Sequence, residues 1–502
     1  MIGKALFPWP FLDEPLRASA RSAIAKDLRA LLDWQRTLQG FPKLCAPALE
    51  ATPFVSLYAR GALRGCFGNA EASKKQRIAR AFLRAMHDDQ RFDPIVDDDR
   101  RDLVAQVSYL LAPRRVEVDE AARTIEPGVH GVAVVHATAR TLILPHVARM
   151  RGLDADRLLD ALSKKAKLAR ASLSEGALFV FEIDDVIVRD DEVRAIDPLD
   201  GAAAWLARLV DGRGHVAFSI DAGAKTTRFT GEFHHGRAAV VIAALHAHGG
   251  HGRVVERART RLKRDVEQAL AGEALEGWPP DLVHVSGTLA LAVIAGVDVA
   301  PSLLALVASS SAQHALASSP WHAAQVVHAL GADAPRALYQ ACVADLEKTP
   351  WAPWTAIAAR TLGDEPTFAR AAQPLLRSIA DGPPMAGGVR PSGKTIAEVA
   401  LTAIVVEALH PFDERARAEP AELTKAREFL RRMQLLPERV PAHQSPSLAA
   451  YAFPASPVND LLRGDVTAHA LLALLPRAAT SSAKVRPPNP SSRRPSSSRR
   501  SP

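Results

Sequence analysis

The rhythm of apolar residues divides this 502-residue chain into three stretches. From 15 to 190 it alternates between helical spacing and the two-residue period of strands. From 198 to 477 it is helical, roughly a dozen segments of helix-plus-connection length. From 478 to 502, Ser, Pro and Arg leave too little apolar surface for a core, which predicts a disordered basic tail. Residues 1–14 stand apart as an N-terminal extension.

Within the first stretch, Ile24, Leu28, Leu31 and Leu32 share one face of a helix over Ser19 to Trp34. Phe54 to Tyr58 and Ala62 to Cys66 flank Arg60-Gly61, a hairpin signal. Ser73 is placed to cap a helix whose stripe is Ile78, Phe82, Leu83 and Met86. Leu103 to Leu111 reads as a strand, Val132–Val135 with Thr141–Leu144 as a second hairpin, and Leu178 to Ile187 as the last strand. Hairpins mixed with helices predict an α+β domain, not a wound βαβ sheet.

The second stretch repeats itself. Ser319-Pro320-Trp321 opens a segment ending at Leu330-Gly331, and Thr349-Pro350-Trp351 opens one ending at Leu362-Gly363. A capping hydroxyl, Pro at the first helical position and Gly after the last turn mark the two ends of a helix. Other starts are Glu232-Phe233-His234-His235, Thr395-Ile396 and Asp465-Val466. Helical pairs cannot bury their faces alone, so they stack or close. Trp205 to Asp221 resembles the opening repeat of α/α-toroid proteins, and Gly464 to Leu472 resembles their closing helix. The expectation is an all-α toroid of about six hairpins, with an open solenoid as the alternative.

Charge changes the picture only at the end of the chain. The net +8 splits into +4 over 1–190, −2 over 191–477 and +6 over 478–502. The basic balance therefore lies largely in the tail, which weakens a nucleic-acid role for the body and leaves one only to Arg493-Arg494 and Arg499-Arg500. No long uncharged apolar run and no signal-peptide core occur, and Cys45, Cys66 and Cys342 are too scattered for a disulfide framework. A reducing, cytoplasmic setting is expected.

Chemistry is concentrated at Leu63-Arg64-Gly65-Cys66-Phe67-Gly68. Glycines let the backbone pass close to another group, and the nearby Arg64 favours thiolate. Cys66 is the candidate nucleophile and His130 the candidate base; Arg64 and Arg91 would bind an anion. The same residues also have plain structural readings. Cys66 fits as a small apolar residue beneath a turn, His130 as a turn histidine held by backbone, and the arginines as partners of Asp88, Asp89 and Asp93.

No Cys-x-x-Cys or His-x-x-x-His spacing supports a metal, and no cofactor is expected. His246, His248 and His251 suit the end of a helix. Gly388 to Thr395 spells the phosphate-loop pattern, but a turn precedes it where a strand is required. In the helical stretch, Glu232, His234, His235 and Asp465 sit at helix starts and are candidates for a central cavity, with capping as the alternative. Terpenoid-cyclase-like toroids come to mind, yet no Asp-rich pair for cyclisation and no Asp/Cys/His zinc set is present.

Several segments, in order, resemble the AMMECR domain family. They are the hexapeptide, Asp89-Gln90-Arg91-Phe92-Asp93-Pro94, Gln106-Val107-Ser108-Tyr109-Leu110 with Pro113, Gly128-Val129-His130-Gly131-Val132, Leu144 to Ala148 and Lys165 to Leu168. The resemblance covers roughly 15–190. It implies an α+β fold of two lobes, an antiparallel sheet with helices and a cleft between. It adds Gly65, Gly68, Gln106, Ser108 and Gly131 to the candidate binding set. It also implies, in prokaryotes, association with Memo-like and radical-SAM proteins, and it supplies no established reaction. Phe67 replaces the usual isoleucine, Gln106 a common acid and Lys167 a common glycine. Three readings stay open: a cleft that binds a small anionic ligand or a partner, a Cys66-dependent enzyme, and a toroid whose cavity is the active half.

Overall fold

The computed structural model describes residues 7–69, 72–93, 95–96, 99–100, 102–191, 193–231, 233–349, 351–382, 385–391, 396–409 and 420–476. The tail 478–502, Glu232 and the phosphate-loop residues 392–395 lie outside the described residues.

The first domain is built on six antiparallel strands: β1 Pro53–Ala59, β2 Ala62–Gly68, β3 Val104–Val116, β4 Gly131–Val135, β5 Arg140–Ile143 and β6 Ala177–Val188. Their order is β2-β1-β3-β6-β4-β5, so β2 and β5 are the two edges. The expected hairpins form, and the first turns through Arg60 and Gly61 at φ 50° and 79°. Strands β3 and β6 run longer than the apolar pattern indicates. Their pairing slips between Leu111 and Arg114, where Pro113 cannot donate to the ladder.

That long pair carries two separate cores. Helices α1 (Ala18–Thr37) and α2 (Arg77–His87) bury Leu28, Leu31, Phe82 and Met86 with Val55, Val107 and Val186. Helices α3 (Val118–Thr124), α4 (Pro145–Arg151) and α5 (Ala155–Ala166) bury Leu158, Leu159 and Leu162 with Val132, Val134 and Val180. Ser73 does not cap α2; a 3-10 turn over Lys74–Gln76 leads into it. Residues 7–14 of the N-terminal extension are part of this domain. Phe7 is buried edge-on against Phe179, and Leu12 bridges Leu111.

The second region is helix-rich. Six helices contact one another in a closed cycle: α7 His234–His248, α9 Leu282–Ile294, α12 Pro320–Leu330, α14 Pro353–Leu362, α16 Val399–Ala408 and α18 Gly464–Leu474. Outside them lie α6 Pro198–Arg208, α8 Gly252–Leu270, α10 Ala300–Val307 with α11 Ser310–Ala317, α13 Arg336–Asp345, α15 Glu365–Ser378 and α17 Ala421–Met433. The second Pro-Trp repeat begins later than its sequence suggests. Helix α14 starts at Pro353, three residues beyond Pro350. A small sheet (β7 Ser219–Asp221, β8 Thr226–Arg228, β9 Pro454–Ser456 and β10 Asn459–Arg463) ties the beginning of this region to its end.

Gly65 sets the packing of the first domain. A side chain there would run into the Ala85 carbonyl on α2, so only glycine lets that helix lie on β2. We expect Gly65→Ala to lose more than about 3 kcal/mol in denaturant unfolding, since backbone must move. Gly68→Ala, which meets only the Phe54 ring, is expected to lose less.

Candidate functional site

A cleft of about 960 Å³ lies between the lobes, with Leu63, Cys66 and Gly68 of β2 on one side and β5, α4 and α5 on the other. Cys66 faces Ser56 across the β1–β2 pair. The outward-pointing Cys66 amide marks this as a non-hydrogen-bonded pair, the kind that brings side chains closest. The Ser56 hydroxyl donates to Cys66 Sγ at 3.3 Å.

The backbone of Cys66 is held from outside the sheet. Its N–H donates to Asp89 Oδ2 at 2.8 Å, and its carbonyl accepts from Arg91 at 2.8 Å. Arg91 grips the same carboxylate at 2.7 and 2.6 Å. Burial pushes the Cys66 thiol up, against the opposing pull of the Ser56 hydroxyl, Arg91 and Lys165. At neutral pH the resting group is a thiol.

The cleft is basic. Arg91, Arg140, Arg151, Arg157, Lys164 and Lys165 line it, against one acid, Asp160. Lys165 donates to the Leu142 carbonyl at 2.8 Å. Burial, with Arg91 nearby, holds its pKa down. Arg140, Arg151 and Lys164 have no acidic partner among the described residues. Trp9, Phe54, Phe67 and Phe92 add flat apolar surface.

The structure separates the expected residues. Cys66, Gly68 and Arg91 meet in the cleft. Arg64 turns to Asp99 at 2.8 Å instead of poising the thiol. Gly65 serves α2, and Gly131 makes room for the Phe181 ring. His130 does not line the cleft. Its Nδ1 accepts from the Glu126 amide at 2.9 Å, Nε2 lies 4.0 Å from Glu182, and burial, with Arg114 nearby, lowers its pKa. The histidine that shares the cleft with Cys66 is His146. Its Nδ1 is buried without a hydrogen-bond partner among the described residues, and burial, reinforced by His443, pushes the ring down to about 4. His146 stands in the Leu144–Ala148 stretch and Lys165 in the Lys165–Leu168 stretch, where both signals were available in residue type. Lys164 extends that basic run.

Gln106 and Ser108 share the face of the sheet that carries Cys66, because Ser56 pairs with Cys66 on one side and Gln106 on the other, and Ser108 is two residues further along β3. Gln106 lines a second cavity of about 1190 Å³ where the helical region meets the first domain, and His146 borders both spaces. There Tyr58 donates to Gln106 at 3.2 Å, and Gln106 donates to Asp185 at 2.8 Å. Burial raises the Asp185 carboxyl to about 6, against the opposing pull of nearby Ser108 and the hydrogen bond from Gln106.

In the helical region, Asp465 lines the ring interior and pairs with Arg463. His235 lies 3.9 Å from Asp265 on α8, between inner and outer helices. His234 is pushed down to about 4 by burial and by His235, and its ring packs near Phe218. His246 and His251 are lowered, chiefly by burial. Val389 sits in isolated bridges to Ile379 and Glu398, and Gly388 bonds to Ala380 and Met385, so neither stands at the end of a buried strand.

The geometry defines a class: a two-core α+β cleft domain, its edge-strand thiol facing a basic pocket, joined to a ring of helices. The chain belongs to the AMMECR1 family, which it matches over residues 17–185. A protein of Methanothermobacter thermautotrophicus is 33% identical over 143 residues, covering 28% of this chain and 74% of that protein. An uncharacterized protein from Pyrococcus horikoshii, of known crystal structure, is 24% identical, covering 35% of this chain and 98% of its own, with a TM-score of 0.31. The GH76A α-1,6-mannanase from Salegentibacter sp. HEL1_6 is 8% identical and covers 55% of this chain and 97% of its own, with a TM-score of 0.38. No helix among the described residues is long and apolar enough to cross a membrane.

Two outcomes follow from the protonation states. In a Cys45→Ser background, iodoacetamide alkylation of Cys66 should rise with pH at an apparent pKa above the free-thiol value of about 8.5. A plateau reached below that value would contradict the buried thiol. For Asp185 the folded pKa lies above the unfolded one, so the folded state keeps a proton that the unfolded state has lost. Stability should therefore fall as pH rises from about 4 to about 6, by roughly 2–3 kcal/mol. Asp185→Asn should remove that slope, as read from the difference between wild-type and variant unfolding curves at each pH.

Proposed function

We propose that the AMMECR1 domain is a binding domain for a small anionic ligand with an apolar body, seated between β2 and α5. The observation that carries this reading is the set of unanswered cations, Arg140, Arg151 and Lys164, in a cleft of small-molecule size. Forked guanidinium groups suit carboxylate or phosphate oxygens, and the surrounding aromatic rings suit an apolar body. A thiol held protonated at rest fits a binding floor better than a standing nucleophile.

A second reading keeps Cys66 as nucleophile and gives the base role to His146. Its support is the unpartnered Nδ1 of a neutral imidazole on the same cleft. For the helical region we read the closed cycle as an (α/α) toroid of six hairpins.

Native mass spectrometry of the purified full chain separates the first two readings. An anionic small molecule should be retained by wild type and by Cys66→Ala, and retention should fall about tenfold or more in an Arg140→Ala/Arg151→Ala/Lys164→Ala variant, as expected for lost charge-assisted contacts. Accumulation of ligand in Cys66→Ala alone favours turnover. Wild-type protein that retains no anion under any condition overturns the binding reading.

A further inference from the structure

A third cavity opens inside the helical ring, apart from the AMMECR1 cleft. It measures about 320 Å³, at the small end of ligand sites. The starts of α7, α9, α12 and α18 supply its lining.

One wall is a run of flat rings. Phe233 lies parallel to His284 at 4.7 Å and 14°, and His284 meets His322 edge-on at 4.7 Å. Trp321 lines the same space and stacks on Trp351 at 6.2 Å and 17°. Phe233 holds φ at 52°, a left-handed conformation that costs a bulky residue about 1–3 kcal/mol. That backbone lays its ring on His284.

The charges around this cavity answer one another. Asp465 pairs with Arg463 and lies 3.6 Å from Arg237, and Glu407 meets His469 at 2.8 Å. Burial, with His284 beside it, pushes His322 down to about 4, so its ring is neutral at pH 7. What stays open is neutral as well. Gln325 and Thr288 are 5% and 4% exposed and line the cavity, and neither side chain has a hydrogen-bond partner among the described residues. Neither polar group is sealed from the cavity, so both are open to hydrogen-bond a ligand there. Gly287 makes room for the lining side chains, since a Cβ there would lie 2.5 Å from the His322 ring and 2.9 Å from Gln325 Oε1.

Apolar flat surface on one side, neutral donors and acceptors on the other and no unpaired charge among the described residues suit one kind of molecule. It is a ring with C–H faces and a hydroxylated rim. We propose that the cavity binds a neutral sugar or glycoside, its C–H face on the Trp321 and Phe233–His284 wall and its hydroxyls on Gln325 and Thr288. An anionic ligand would find Arg463 already engaged by Asp465, so the preference differs from that of the AMMECR1 cleft.

Saturation-transfer NMR on the full chain tests this, with methyl α-glucoside, methyl β-galactoside and N-acetylglucosamine as neutral probes and glucuronate as the charged control. Transfer to the C–H protons of at least one neutral probe is expected. Gln325→Leu and Thr288→Val should each weaken that binding about tenfold, the scale of a lost buried hydrogen bond. If Gln325→Leu does not fold, Thr288→Val carries the same comparison. The signal should persist in Cys66→Ala and in the Arg140/Arg151/Lys164 variant, where the AMMECR1 cleft is altered. Absence of transfer from every neutral probe overturns the proposal. So does binding of glucuronate alone, undiminished transfer in both ring variants, or loss of the signal in the cleft variants.

Discussion

An edge strand must satisfy its outward backbone groups, and the way β2 does so organises the first domain. The outward N–H and C=O of Cys66 are met not by another strand but by Asp89 and Arg91. These two residues follow directly on α2, and α2 lies close enough only because position 65 carries no side chain. The arrangement is thus one device. Glycine admits the helix, the helix delivers an ion pair, and the ion pair holds the strand beneath the cleft. The position of Cys66 is fixed through its backbone, with the Ser56 hydroxyl the contact to its sulfur.

The face of the sheet that carries Cys66 continues along β3 and β6 to meet the helical region. Arg189 is buried there and donates to the carbonyls of Val440 and Gln444 at 2.6 and 3.1 Å. A buried guanidinium satisfied by carbonyls lowers the cost of its desolvation only while those carbonyls stay in place. His146, between the cleft and the interdomain cavity, lies near Tyr58, which in turn lies near His443 of the helical region. The environment of the AMMECR1 cleft therefore includes residues that lie outside residues 17–185.

Much of this architecture was legible in the residues. The two hairpins, the stripe of α2 and the helical grammar of the second region follow local periodicity, and local periodicity survived folding. The Arg91–Asp89 pair was available as a plain salt-bridge reading, and that is the contact formed. What local pattern could not give was convergence across the sheet. His130 and Cys66 belong to one family signature, yet β3, β1 and β6 lie between their strands. His146 and Lys165 were present in quoted stretches, but their approach to Cys66 depends on the curl that brings β5 and α5 opposite β2. The cavity residues Gln325 and Thr288 carry no pattern of their own, because a buried polar residue on an inner helix looks like any other polar position until the ring closes around it.

The ring closes through partners far apart in the chain. Trp205 Nε1 donates to the Leu448 carbonyl, 243 residues away, at 2.6 Å, and Tyr451 accepts from the Ile196 amide at 2.7 Å. Helix α7 packs against α18, the last helix of the region, nearly all of which is buried. During synthesis the apolar faces of α7 and α6 therefore wait for residue 474, while most of the sheet domain can pair once residue 188 has emerged. Contacts of such separation slow folding and prolong exposure of apolar surface. Chain order thus builds the AMMECR1 domain first and makes it the platform on which the helical region is completed.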